Sequence, residues 1–195
     1  VGAAQFFTNA VNTTTNGMDV VFGFTPISTD KKILRLSIAA NFNKMEIDKI
    51  NVADKLKGKE HVYFGLREQY FLLASAPKSK MTFNAEYTCG KVVFDARMNV
   101  YGKVELINWN GYETTDTVAT PGIGGNLDVY KSKATLDLSI GYNFNNVRIT
   151  FGGMNVMNAY PDPHDPSLTE TGGIWDAVQM GSQGAYYYTK VGFKF

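Results

Sequence analysis

The chain has 195 residues and a formal net charge of +1, so nothing in its charge suggests nucleic-acid binding, which wants a basic face. Aromatics make up 13% and glycine, Asn and Thr are frequent, a composition that favours strands and turns over helices. Its one cysteine, Cys89, excludes a disulfide framework and a CxxC zinc pattern. In Thr88-Cys89-Gly90-Lys91 it reads as an ordinary free thiol in a tight turn, without the basic, exposed setting of a reactive one.

No stretch approaches the ~20 consecutive apolar residues of a membrane helix. Val1-Gly2-Ala3-Ala4-Gln5-Phe6-Phe7 lacks the basic and apolar regions of a secretion signal, so a signal, if the protein is exported, lies upstream. A barrel crosses a bilayer without a long apolar run, and the mildly polar mean hydropathy is no objection to one. The dominant pattern is period-two alternation in segments of about 9–11 residues, the length a tilted membrane strand needs.

In the first clear strand Met18, Val20, Phe22 and Phe24 share one face, and Asp19, Val21, Gly23 and Thr25 the other. Pro26 to Lys32 interrupts it as a turn. Leu34, Leu36, Ile38, Ala40 and Phe42 then alternate with Arg35, Ser37, Ala39, Asn41 and Asn43. Lys44 to Lys80 is charged and irregular, and reads as a large loop with a short helix around Arg67 to Ala76. Met81, Phe83, Ala85 and Tyr87 alternate with Thr82, Asn84, Glu86 and Thr88, and Cys89-Gly90-Lys91 is tight enough for a hairpin. The returning strand sends Val92, Phe94, Ala96, Met98 and Val100 outward and Asp95, Arg97, Asn99 and Tyr101 inward. It is expected to run on through Val104 and Leu106 to Trp109. Asn110 to Lys133 is a second long loop, rich in Gly and Thr. Leu136, Leu138, Ile140, Tyr142 and Phe144 alternate with Asp137, Ser139, Gly141 and Asn143; Asn145-Asn146 turns, and Val147 to Asn158 returns. Tyr160 to Gln183 is the third long loop, and the last strand sets Tyr187, Thr189, Val191, Phe193 and Phe195 against Tyr188, Lys190, Gly192 and Lys194.

The pattern predicts an all-β chain of about seven antiparallel strands, with short and very long connections alternating strictly. Transmembrane β-barrels have that asymmetry, with short periplasmic turns and long outer loops. Arg35, Glu86, Asp95, Arg97, Asp137, Lys190 and Lys194 all fall on the polar side. A sandwich core could not bury that set without pairing each one, whereas a wet lumen holds them. Tyr142, Phe144, Tyr186 and Tyr187 near strand ends suit interfacial girdles. A soluble antiparallel sheet with long loops is the competing reading.

Four stretches carry a resemblance. Asn155-Val156-Met157-Asn158-Ala159-Tyr160-Pro161-Asp162 looks like the "N-L-F-N-x-x-Y-P" segment near the end of TonB-dependent receptors, with Met157 in place of the usual Phe. Glu170-Thr171-Gly172-Gly173-Ile174-Trp175-Asp176-Ala177-Val178-Gln179-Met180-Gly181 resembles the last outer loop of such receptors from Bacteroidetes-type bacteria. Thr8-Asn9-Ala10-Val11 through Gly17-Met18-Asp19-Val20 is similar to an earlier strand, with Asp19 where Glu is commoner. Phe195, with Phe193 two before it, is similar to the terminal-strand signal read by barrel-assembly machinery.

The resemblance covers residues 1–195 and implies the C-terminal segment of a barrel of about 22 strands with a plugged lumen. It implies energised import across the cell outer membrane of a scarce nutrient: a ferric siderophore, haem, cobalamin or a glycan. The implied partners are outer-membrane lipid, the rest of the barrel and its plug, the TonB complex acting through that absent N-terminal part, and the assembly machinery. No cofactor is implied. The chain is expected to be a portion of a longer polypeptide, because about seven strands alone form an open sheet with two unpaired edges. A small self-contained barrel of about eight strands, structural or adhesive, or a passive porin, is the alternative.

The remaining motifs have ordinary readings. Gly122-Ile123-Gly124-Gly125-Asn126 opens no helix and is no phosphate loop. Asp162, His164 and Asp165, stiffened by Pro161, Pro163 and Pro166, read as a rigid polar outer loop rather than a metal site. Asn12-Thr13-Thr14 fits a glycosylation acceptor that a bacterial outer-membrane protein leaves idle. With His61 and His164 both in loops and no G-x-S-x-G elbow, there is no catalytic set, and no enzyme is expected. The candidate ligand groups are the lumen-facing Asp95, Arg97, Asn99 and Tyr101, and the loop aromatics Tyr63, Phe64, Trp109, Tyr112 and Trp175. Packing of Trp175 against Ile174 and Val178, and hydrogen bonding of the lumen set to plug and water, are the ordinary readings of the same residues.

Overall fold

The computed structural model describes residues 9–74, 77–111, 119–121, 125–176 and 179–193. The expectations for Tyr112, Lys194, Phe195 and most of the Gly122–Asn126 motif lie outside the described residues. The chain is all-β and antiparallel. Its strands are β1 (Val11–Ser28), β2 (Lys32–Ile50), β3 (Ser79–Cys89), β4 (Val92–Tyr101), β5 (Val104–Ile107), β6 (Leu127–Tyr130), β7 (Lys133–Phe144), β8 (Val147–Met154) and β9 (Tyr186–Phe193). Two short helices, α1 (Glu60–Tyr63) and α2 (Leu66–Leu73), lie in the first long connection. One seven-stranded sheet has the order β1-β2-β3-β4-β7-β8-β9, and β5 and β6 form a separate ribbon.

Local chemistry sets the turns. Gly90 (φ +56°) and Asn145 (φ +43°) take the left-handed conformation that closes the two tightest hairpins, a region open to Gly and tolerated by Asn. Thr29 closes the third, its hydroxyl and amide both donating to the Lys32 carbonyl.

Register, more than propensity, makes the faces. Phe22 stands opposite Ile38, Ile38 opposite Phe83, Phe83 opposite Met98, and Met98 opposite Leu136. Nearer the short turns, Leu34, Tyr87, Phe94, Ile140 and Phe151 form another such row. Because side chains alternate along every strand, this registration puts most of the large apolar side chains on one side of the sheet, with Val21, Val93 and Met154 among the exceptions on the other. That side is uncovered: Phe22 is 59% exposed, Phe151 58%, Phe144 52% and Val191 51%. Gly153 belongs to the same face, with the Tyr187 ring lying over it where a Cβ would meet ring carbons at 2.9 Å.

The buried core sits instead in the long connections. Among the described residues the fully buried large side chains are Tyr130, Leu106, Ile107 and Pro161, and Phe71 and Trp175 pack against the cluster of Ala74, Val104, Leu106 and Tyr130. These connections form one cap. Gln179 reaches across it, its amide donating to the carbonyls of Gly102 and Lys131, each at 2.8 Å. The buried Arg67 of α2 pairs with Glu170 and lies over the rings of Phe71 (4.6 Å) and Trp109 (4.1 Å). Desolvating that guanidinium is tolerable only because a carboxylate and two π-faces receive it.

Several boundaries differ from the sequence reading. β1 begins at Val11, ahead of Met18, and continues through Pro26 to Ser28, and β2 begins at Lys32, so the turn is shorter than Pro26 to Lys32. β2 continues to Ile50 instead of ending near Asn43, its outer part paired with β1 alone. The expected run from Val92 to Trp109 breaks at Gly102, whose amide bonds to the Ser79 carbonyl and where a Cβ would lie 2.5 Å from the Ser79 hydroxyl. The chain leaves the sheet there, and the second long connection contributes β6 to pair with β5. The returning strand expected from Val147 to Asn158 ends at Met154, because Asn155 and Asn158 have positive φ. Replacing Leu106 by Ala should cost the cap ~2–5 kcal/mol through the cavity it leaves. Amide exchange should then quicken in β5 and β6 while β7 and β8 keep their protection.

Candidate functional site

The opposite face of the sheet is polar and cross-linked by its own side chains. Arg35 donates to Glu86 at 2.5 Å across β2 and β3. Arg97 donates to Asn84 at 3.4 Å and stands opposite Asp137 in register. The Thr82 hydroxyl donates to Asn99 Oδ1 at 3.0 Å, and Asn99 Nδ2 reaches both Thr135 Oγ1 (3.4 Å) and Asp137 Oδ2 (3.3 Å). Asp137 Oδ1 accepts the Asn155 amide at 2.8 Å, tying this ladder to the third long connection.

The four lumen candidates do not form one site. Six residue steps separate Asp95 from Tyr101, roughly 20 Å along a strand, too far for one small ligand. Asp95 and Arg97 belong to a charged depression of about 320 Å³ with Glu86, Arg148 and Lys190. Asn99 and Tyr101 line a cleft of about 420 Å³ beneath the third long connection, with Thr135, Asp137, Gln183 and Tyr186 among its other walls. Tyr186, expected in an interfacial girdle, therefore lies on the polar face, its ring stacked on Tyr188 at 6.2 Å. Only its neighbour Tyr187 shares the apolar side. Parity with Val191 and Phe193 was the signal that separates the two.

Gln183 and Asn155 were not among the sequence candidates. Asn155 shapes the cleft wall. At φ +48° its side chain accepts the Ala159 amide (2.9 Å) and donates to the Ala159 carbonyl (2.8 Å). Asn158 Oδ1 accepts the Ala185 amide at 2.9 Å and pins the facing wall.

The loop aromatics have different roles. Trp109 is held under Arg67, and Trp175 packs on the cap core and stacks on Tyr160 at 5.3 Å. Of its two expected packing partners, Ile174 is 45% exposed and Val178 lies outside the described residues. Tyr63 in α1 is exposed. Asp162, His164 and Asp165 turn to separate partners: Lys133 Nζ at 2.6 Å, Asp128 at 3.4 Å and Ser167 respectively.

Electrostatics reinforce the cap. Burial raises the Asp162 pKa, but hydrogen bonds from the Lys133 ammonium and the Lys131 amide outweigh it and hold the carboxyl below its ordinary value. The Ser167 hydroxyl and amide lower Asp165. Burial pushes the Tyr130 phenol up to about 12, against the opposing effect of the Asp176 amide it accepts at 2.9 Å. The carboxylates of Asp176, Asp128 and Asp162 push in the same direction as burial.

Comparison with protein-family models, with curated proteins and with solved structures finds no match.

Two pH limits follow, of opposite sign. Tyr130 ionises first in the unfolded chain, so the stability it contributes is complete below pH 10 and is lost as pH rises toward about 12. Asp162 stabilises the cap above its ordinary carboxylate range, and that contribution is lost as pH falls through its lowered folded value. Phenolate absorbance and near-UV circular dichroism should show the alkaline step in the wild type. Tyr130→Phe should remove this step, while costing ~1–3 kcal/mol for the Asp176 amide left unpaired.

Proposed function

We propose that the chain is wall and outer cap of an outer-membrane β-barrel that imports a scarce nutrient, its apolar face against lipid and its polar face toward the lumen. The observation that carries this reading is the registered, uncovered apolar face. Six strand spacings and the ten steps from Ala134 to Phe144 span roughly 29 Å by 33 Å, on the order of 900 Å². Water-soluble monomers rarely expose more than about 300–600 Å² in one patch. Tilted by ~40°, the same ten steps stand about 25 Å tall, the height of the apolar band of bacterial barrels.

The other face argues in the same sense. Arg35, Glu86, Asp95, Arg97, Asp137, Arg148 and Lys190 suit water and do not suit a sandwich core. β1 and β9 each pair on one side only among the described residues. Further strands of a wider barrel would satisfy those edges. The resemblance to TonB-dependent receptors adds the import step. On that reading the plug and the TonB complex supply gating and energy, and Phe193 with Phe195 marks the chain for barrel assembly. The capped outer end and the cleft at its base capture the ligand.

The reading predicts an asymmetry between adjacent residues of β7. Leu138→Arg, at mid-height on the apolar face, should cost ~2–4 kcal/mol of folding into lipid vesicles. Ser139→Arg, one residue on and facing the lumen, should cost no more than ~1 kcal/mol. Urea titrations of the intact polypeptide in phosphatidylcholine vesicles measure both. Equal costs, or a wild-type chain that folds as a monomer in water without lipid, would overturn the assignment.

A further inference from the structure

We propose that the cleft under the third long connection binds a neutral, hydroxyl-rich ligand, an oligosaccharide, and rejects anionic ones. This rests on the reading of the polar face as a lumenal wall and names the ligand class for one part of it.

The charge distribution selects the class. Among the described residues, Asp137 is the one charged group lining the cleft, and no Lys or Arg lines it. The cations of this region lie elsewhere. Arg97, Arg148 and Lys190 line the separate charged depression, Lys133 is paired with Asp162, and Lys80 lies over the Tyr101 ring at 5.3 Å. A phosphate or a carboxylate-bearing chelate would lose its hydration beside a carboxylate and find no counter-charge. A cation would find little surplus either, because Asp137 already accepts hydrogen bonds on both oxygens and stands opposite Arg97.

The remaining chemistry fits hydroxyls. An ionised carboxylate has about four acceptor sites, so Asp137 can take further O–H donors after Asn155 and Asn99. Thr135, Gln183 and the Tyr101 phenol provide groups that both donate and accept. Tyr186 adds an aromatic ring, 59% exposed and backed by Tyr188, of the kind that receives the C–H face of a sugar. The volume, about 420 Å³, lies in the range of small-molecule sites. Both walls are fixed before any ligand arrives, one by the Asn155–Ala159 clasp and the other by Asn158 on Ala185, so little ordering is left to occur on binding.

The test is calorimetry on the intact polypeptide in detergent micelles with three probes. These are a panel of neutral malto-, manno- and xylo-oligosaccharides, ferric citrate as the anion, and spermidine as the cation. At least one neutral oligosaccharide should bind, with an affinity that salt leaves unchanged. Tyr186→Ala and the loop variant Gln183→Ala should each weaken it, Tyr186→Ala by about tenfold. Arg148→Gln in the charged depression should leave it unaltered. Failure of the whole panel to bind, or ferric citrate or spermidine binding that Tyr186→Ala or Gln183→Ala weakens, would overturn the proposal. Vesicle insertion, measured on the same preparations, separates the two ideas. Insertion without oligosaccharide binding refutes the ligand class and leaves the membrane reading standing, whereas failure to insert refutes the membrane reading itself.

Discussion

Everything in this molecule depends on how its seven paired strands dispose of one apolar face. Antiparallel pairing satisfies the backbone, and register then stacks most of the large apolar side chains on the same side. No second sheet and no helix covers that side among the described residues. Hydrophobic burial is the main favourable contribution to folding, and here the sheet itself obtains little of it from its own chain. The free-energy deficit has to be made up by something that covers the face from outside. A hydrocarbon layer does so without needing a matching protein surface, and the height of the band suits one.

The cap solves a different problem. Long connections ordinarily run over a surface and remain mobile. Here they carry the buried side chains that a soluble domain would place on its sheet. Arg67, Tyr130, Asp162 and Gln179 each join segments far apart in the chain. The cap therefore gives the cleft at its base a fixed wall. The left-handed Asn155 and the Asn158 contact place that wall beside the ladder of Asn99, Thr135 and Asp137. Shape at the cleft is thus a consequence of packing in the cap and of side-chain hydrogen bonding on the sheet.

Much of the sheet was legible in the sequence because one face must be apolar and the other wet. The alternation from Leu136 to Phe144 could be read directly, as could the turns at Cys89-Gly90-Lys91 and Asn145-Asn146. The outer half of β2 was harder to read: Met45 and Ile47 do alternate with Lys44, Glu46 and Asp48, but with parity opposite to that of Leu34 to Phe42, and its charges resemble those of a loop. β6 was hidden in a Gly/Thr-rich stretch: its four residues are strand through their pairing with β5, a tertiary fact. Gly102 carried a signal that an apparent alternation through Val104 and Leu106 concealed. Within the site, Asn99 and Tyr101 could be proposed from parity. Their separation from Asp95 and Arg97 emerged only once the third long connection was in place above them. Asn155 stood out as the first residue of the Asn155-to-Asp162 segment, but nothing in that pattern showed that it would leave the strand with positive φ and clasp Ala159.

We hold that the apolar face meets hydrocarbon. The most direct test is single-site spin labelling along β7, from Ala134 to Phe144, in a Cys89→Ser background with the intact polypeptide in phospholipid vesicles. Collision with dissolved oxygen, which concentrates in lipid, should peak at the even positions. Collision with a water-soluble nickel chelate should peak at the odd ones, giving two period-two profiles out of phase. Even positions shielded from both probes, or open to the chelate, would mean that protein or water covers this face, and the account would be wrong.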